Sequence, residues 1–277
     1  MHDHDASVLR RACFDVRLKM LGMSRDCKGP THLGGGLSLV EILVALYGSA
    51  AKISPDLVRD RGRDRIILSK GHGVLGLYAV LNHFGFFTRD KLATFKLDGG
   101  DLPSHPVRNI DLGIESSNGS LGHGLAIASG IATAARFGSS NPTCFVILGD
   151  GECDEGAVWE GALLAANLSL SNLVAIVDIN GLKSDGKTTV NQTAERLRER
   201  WTSCGWNARV IDGHDVVGLA RNMREVRSLQ GPSVLLAETI KGKGIDFMED
   251  DNAWHHSPLS ALQYEEAIRS LESEYVE

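Results

Sequence analysis

An excess of basic charge is missing from this sequence: 29 lysines and arginines stand against 35 aspartates and glutamates, a formal charge of −6. That balance favours solubility and offers no basic face to nucleic acid or an anionic membrane, so a phosphate-bearing ligand must be gripped locally. Cysteine is scarce too. Cys13, Cys27, Cys144, Cys153 and Cys204 are odd in number, scattered and free of any C-x-x-C pair, which argues against a disulfide framework or a zinc site and for reduced thiols. The amino terminus, MHDHDASVLRR, has no apolar signal core, and no run approaches the roughly 18 apolar residues of a membrane span, so a soluble cytoplasmic protein is expected. Internal repeats, low-complexity tracts and Pro/Ser-rich linkers are absent as well. The 277 residues, 43% of them hydrophobic, are therefore expected to form one domain.

What is present alternates. Short β-branched apolar runs recur at Arg65 to Ser69, Cys144 to Gly149, Leu173 to Asp178, Ala208 to Asp212 and Ser233 to Thr239, and read as buried parallel strands. Between them, Ser38 to Ala50 reads as a helix opened by a Ser38-x-x-Glu41 capping box, and Leu75 to Phe84, Gly122 to Arg136 and Glu155 to Leu168 as further helices. The pattern predicts an α/β fold, a doubly wound parallel sheet with helices on both faces. In such sheets ligands bind beyond the carboxyl ends of the strands, where this chain places Ser-Lys-Gly-His-Gly, Gly-Asp-Gly-Glu, Asp-Ile-Asn-Gly, Asp-Gly-His-Asp and Ile-Lys-Gly-Lys-Gly.

Asp150 follows one strand and Asn180 the next, so a carboxylate and an amide oxygen should project side by side. With a nearby backbone carbonyl they form a hard-oxygen half-shell suited to Mg²⁺, whose remaining positions a diphosphate would fill. Alone, Gly-Asp-Gly is a turn; the pairing with Asn180 points to function. Gly119-Ser-Leu-Gly-His-Gly124 precedes a small-residue helix and frees backbone N–H groups for an anion. His32, His72, His105, His123, His214, His255 and His256 fall mainly in Gly/Pro-rich turns; each alone reads as structural, whereas several on one edge can donate to phosphate or sugar oxygens and move protons. His2 and His4 sit at the terminus and are given no role. Trp159 and the small apolar residues around it read as helix core.

In order along the chain stand THLGGGLSLVEILVALY, LSKGHGVLGLYAVL, LPSHP, NGSLGHGLAIASGIA, the segment from Gly149-Asp150-Gly151 to Asn180, and KGKGIDFMEDDNAWHHSPL. On these motifs the sequence resembles, over nearly its whole length, the amino-terminal, diphosphate-binding section of a transketolase. The resemblance implies the thiamine diphosphate-binding fold, with Asp150, Asn180 and the Leu182 carbonyl holding Mg²⁺ or Ca²⁺. It implies cofactor contacts from Gly151, Asn180, His72, His255 and the loop Gly119, Ser120 and Leu121, with Lys241 near cofactor and substrate. His32, His72, His105 and His255 resemble histidines that bind donor hydroxyls and assist proton movement. Glu155 and Glu160 match acidic residues at the subunit interface that link paired cofactors, Glu155 standing among the catalytic and cofactor-binding positions. The implied reaction moves a two-carbon ketol unit from a ketose to an aldehyde.

Two departures stand out. His123 occupies a loop position where the family has Gln, and the chain covers only the first two fifths of a full transketolase. The pyrimidine-binding and C-terminal domains are expected on a separate partner chain, in an α₂β₂ assembly. The alternatives are a component of another thiamine diphosphate enzyme, decarboxylating a 2-oxoacid or forming an acyloin, and a non-catalytic cofactor-binding remnant. A histidine-rich metallohydrolase is disfavoured by histidine spacing and oxygen ligands.

Overall fold

A computed structural model describes residues 6–276 apart from Lys28 and Ser139, so His2 and His4 lie outside the described residues. Five parallel strands form one sheet: β1 (Arg65–Leu68), β2 (Cys144–Gly149), β3 (Leu173–Ile179), β4 (Asn207–Asp212) and β5 (Ser233–Glu238), in the order β1-β2-β3-β5-β4. All five expected strands are found within a residue or two of their expected ends.

The period-two alternation of the strands divides the core. Phe145, Ile147, Val174 and Ile176 point to one face, while Val146, Leu148, Ala175 and Val177 point to the other. The first face is covered by α1 (Ala6–Asp26), α2 (Leu33–Leu37), α3 (Val40–Ala45), α4 (Val74–His83) and α9 (Val216–Glu225), with α10 (Ala261–Val276) packed on α1; the short α5 (Arg89–Leu92) contacts α4. The second face is covered by α6 (His123–Ala135), α7 (Gly156–Asn167) and α8 (Ala194–Ser203). Helices on both faces complete the doubly wound arrangement. Trp159 is half-buried on the second face, packed against Trp201 and donating from Nε1 to the Cys153 carbonyl at 2.9 Å, whereas Leu163 and Leu164 on the same helix are exposed.

The capping box expected at Ser38 and Glu41 does not form. The Ser38 hydroxyl donates to Asp178, Glu41 is buried against Arg17, and the helix splits into α3 and a π-helical turn, Leu46–Ala50. A capping box satisfies an exposed helix start, and here there is none: the window Leu33–Ala50 is wholly buried. By length and composition that window also qualifies as a membrane-crossing helix, a correction to the absence of any such run; its complete burial is that of a core helix.

Candidate active site

Gly149, at the end of β2, is in register with Asp178 on β3, so Asp150 and Asn180 emerge together at the carboxyl edge of the sheet. Asp150 is 2% exposed. Its Oδ1 accepts from the Gly151 N–H and its Oδ2 from the Gly181 N–H, each at 2.7 Å, which ties the two turns together. Burial, then the Asp178 carboxylate, push its pKa up to about 6. A buried carboxylate with no ion pair of its own among the described residues is a position that a cation would stabilise. No group of three His, Cys, Asp or Glu side chains among the described residues could hold a metal ion. An ion at Asp150 would therefore complete its shell from the Asn180 amide, a backbone carbonyl and ligand oxygens, the habit of Mg²⁺ rather than Zn²⁺. By this test the residues fit a metal-bound diphosphate.

Beneath the clamp lies an ion pair absent from the sequence expectations. Asp178, fully buried, accepts from the Lys70 ammonium (1% exposed), from Ser38 at 2.7 Å, from Thr239 and from Asn180 Nδ2 at 3.2 Å. Burial alone would raise the Asp178 pKa, but Lys70 and the hydroxyl donors outweigh it, and the net shift is downward. With its Nδ2 committed downward, Asn180 must turn its Oδ1 away from Asp178, where it accepts from the Leu182 N–H at 3.2 Å. Leu182 then bridges to Lys187 in a short hairpin.

The glycine-rich loop is held by a second buried carboxylate. Glu152 accepts from the Gly122 N–H at 2.8 Å, from the Gly149 N–H at 3.1 Å and from Ser69, and Ser69 accepts from the Gly124 N–H at 3.1 Å. Gly122 adopts φ +83°, and a Cβ there would lie 2.8 Å from Glu155 Cβ. At Gly124 a Cβ would meet Ser69 at 2.3 Å. Only glycine permits this approach, which brings the loop and the start of α6 onto β1 and the Gly-Asp-Gly turn. Gly119 and Ser120 are exposed and Leu121 half-exposed; Gly119 passes His105, whose Cδ2 would be 3.6 Å from its Cβ.

Four of the expected histidines converge. The His32 ring lies 5.6 Å from His72, 5.8 Å from His105 and 5.4 Å from His255, and His72 lies 5.6 Å from His255, centroid to centroid. His256, given no specific role above, stacks on His32 at 4.3 Å and 28°. Burial, then the neighbouring imidazoles, lower His32 to about 3; burial, then Lys241, lower His255 to about 4. His72 and His105 also fall, chiefly through burial. At neutral pH these four rings are uncharged, each with one donor and one acceptor.

Lys241 joins this ring to the clamp. Its ammonium donates to the Lys183 carbonyl at 3.2 Å, to Asn252 Oδ1 at 3.1 Å and to His255 Nδ1 at 3.0 Å. Since an ammonium only donates, His255 Nδ1 accepts and its proton sits on Nε2. Burial, then Lys70, lower Lys241 to about 8. The loop carrying Lys241 is braced from behind: Ile240 N–H donates to His214 Nε2 at 2.8 Å, His214 Nδ1 meets Glu41 at 3.0 Å, and Arg17 forks onto Glu41 at 2.6 and 2.9 Å.

Not every sequence candidate joins the site. His214 belongs to that brace, away from the histidine ring, and His123 is exposed at the start of α6 with Nδ1 3.0 Å from the Leu121 carbonyl. Glu155 and Glu160 are exposed on the first turns of α7. The residues to which sequence gave no specific part in the site are Lys70, Asp178, Glu152, His256 and Ser38, the last read only as a helix cap. An Asp two residues before Asn180 and a Lys two residues before His72 were signals in plain view, but burial decides their roles, and burial is not legible in a motif.

The family model described as transketolase, thiamine diphosphate binding domain, matches residues 16–275. The chain is 38% identical over 247 residues to an apulose-4-phosphate transketolase subunit of Phocaeicola vulgatus, covering 89% of this chain and 87% of that one. It is likewise 38% identical over 272 residues to the 6-deoxy-6-sulfo-D-fructose transketolase subunit SqwG of a Clostridium species, covering 98% and 96%. The transketolase structure from Campylobacter jejuni superposes with a TM-score of 0.87 at 26% identity, covering 99% of this chain but 43% of that one. The chain thus spans nearly the length of the subunit relatives and about two fifths of the single-chain enzyme.

Proposed function

Because the chain belongs to the transketolase thiamine diphosphate-binding domain family, we propose that it is the cofactor-holding subunit of a two-chain transketolase. In this role it would transfer a two-carbon ketol unit from a ketose to an aldehyde. The observation that carries the proposal is Lys241, whose ammonium touches both the Lys183 carbonyl beside the oxygen clamp and His255 of the histidine ring, an adjacency that supports a diphosphate site and a sugar site lying side by side.

Asp150, Asn180 and the Leu182 carbonyl would hold Mg²⁺ or Ca²⁺ against the diphosphate, and Gly151, Gly119, Ser120, Leu121, His72 and His255 would line the cofactor. When bound, thiamine diphosphate supplies the electron sink for carbon–carbon cleavage. The protein's part is placement and proton traffic. His32, His72, His105 and His255, neutral and each both donor and acceptor, suit the hydroxyls of a ketose and the exchange of a hydroxyl proton. Lys241 fixes the His255 tautomer so that Nε2–H is the group presented. A ring of neutral groups that donate and accept favours a polyhydroxylated donor.

We assign residues 1–277 to one diphosphate-binding domain and place the pyrimidine-binding and C-terminal domains on a partner chain, in a cytoplasmic α₂β₂ assembly. Leu163, Leu164 and Leu168 at the α7 end and Phe137 beyond α6, 89% exposed, support a covered face there. Glu155 and Glu160, on the first turns of α7, would reach toward a second site across it. The test is reconstitution. The chain combined with its partner, thiamine diphosphate and Mg²⁺ is expected to transfer ketol units from a ketose, and the chain alone is expected to be inactive. Full activity from the chain alone, or turnover of pyruvate but no ketose by the complex, would overturn the proposal.

A further inference from the structure

Away from the strand-end cleft, a cavity of about 590 Å³ opens between the second half of α1, the end of α4 and the short α5, within the size range of small-molecule pockets. We propose that it binds a small acidic amphiphile: one carboxylate, sulfonate or phosphate group carried on an apolar body.

The floor is apolar. Met23, Leu92 and Phe95 are buried side chains that line it, joined by half-buried Leu18. The charged wall is unbalanced. Of its two carboxylates, Asp15 is paired with Arg11 at 2.9 Å and Asp26 with Arg25 at 2.7 Å, so each already faces a cation of its own and acts on Lys19 and Arg89 only from beyond ion-pair distance. The remaining cations are Lys19 and Arg89. Lys19 is half-buried and donates to a neutral oxygen, Asn82 Oδ1, at 2.5 Å, while Arg89 has no ion pair among the described residues. Burial, then the approach of Arg89, hold the Lys19 ammonium below its usual range against the pull of Asp15. His83, on the same wall, is lowered by burial and then by Lys19. An acidic group seated here would meet two cations at once, while its apolar body covered the floor.

Gly22 is the independent sign. It lies in the interior of α1, where glycine is costly relative to alanine, and a Cβ built on it would meet no atom within 4 Å. Internal packing therefore does not require glycine at this position, which faces the cavity. A side chain there would project into the space that the ligand would fill.

The test uses 8-anilinonaphthalene-1-sulfonate, an aromatic sulfonate, titrated by fluorescence into the 277-residue chain. Wild type is expected to show one saturable site above any weak signal from the exposed apolar residues of α7. Gly22→Leu, which fills the cavity with a better helix former, is expected to weaken that site at least tenfold with an unchanged or higher melting temperature. Arg89→Glu, an exposed charge reversal that does not depend on the first variant folding, is expected to weaken it similarly. Octanoate and octyl phosphate should displace the probe, and the stronger of the two identifies the acid. Unaltered probe binding in Gly22→Leu or Arg89→Glu would overturn the proposal, as would displacement by octanol as strong as by octanoate.

Discussion

Replacing Asp178 by asparagine separates the electrostatic from the geometric role of the support beneath the clamp. Its Oδ2 takes Lys70, Ser38 and Asn180, and its Oδ1 takes Thr239. An asparagine with its oxygen in the Oδ2 place keeps the Ser38 and Asn180 contacts, and its amide can face a Thr239 hydroxyl rotated to accept. What it cannot keep is the charge opposite Lys70, which is 1% exposed. Breaking a buried pair by removing one partner costs about 3–5 kcal/mol, against a total stability of about 5–15 kcal/mol for a typical domain. Equilibrium urea unfolding at pH 7 should register that loss, and Lys70→Met added to Asp178→Asn should recover part of it. The Asp178 pKa is depressed in the fold, so its stabilisation is complete above the unfolded-chain value of about 3.9 and is lost as pH falls through the lower folded value. The gap between wild type and variant should therefore close below about pH 4. Asp178→Ala, which also frees the Asn180 amide to turn, should lower Mg²⁺ affinity a further 10–100-fold, roughly the effect of losing an outer partner of a ligand. An Asp178→Asn protein within about 1 kcal/mol of wild type would refute the reasoning.

Gly124→Ala places a methyl 2.3 Å from Ser69 and should cost about 1–3 kcal/mol, read as a lowered melting temperature, whereas Gly156→Ala, with nothing within 4 Å, should not. Asp150 must ionise to hold a cation, and its pKa is near 6 without one. Mg²⁺ titration calorimetry at pH 5.5, in buffers of different ionisation enthalpy, should reveal proton release that is absent at pH 7.5. Lys241 loses its proton near pH 8, and as a neutral amine that can accept as well as donate it no longer dictates the His255 tautomer, so kcat/KM of the assembled enzyme should fall above that pH. Lys241→Met should remove this alkaline limb along with most of the activity.

The sheet was legible because its central strands β2, β3 and β5 are continuous apolar runs, and the order of Asp150 and Asn180 on neighbouring strands follows from them; β4, expected to be buried, is a partly exposed edge strand with Asn207, Arg209 and Asp212 in it. Six helices were not marked: α1, α2, α5, α8, α9 and α10. Half of a sequence such as AERLRERWTS is charged, and only Ala194, Leu197 and Trp201 of that helix reach the core. The capping box failed for a related reason, since a Ser-x-x-Glu pattern carries no sign that Glu41 lies under Arg17 and His214. In the site, the groups facing the cleft were readable from turn motifs, while Lys70, Asp178 and Glu152, which orient those groups from below, are defined by contacts across 83 and 108 positions of chain. His256 was visible as a residue but not as a partner, because stacking on His32 depends on how the last loop returns across the sheet edge.

The most direct test of the clamp is thiamine diphosphate binding to the assembled two-chain complex at pH 7.5, with and without Mg²⁺, for wild type and Asp150→Ala. Wild type is expected to bind the cofactor tightly only with Mg²⁺, and Asp150→Ala to lose that dependence together with at least a hundredfold in affinity. Equal, Mg²⁺-dependent binding by both proteins would contradict the account.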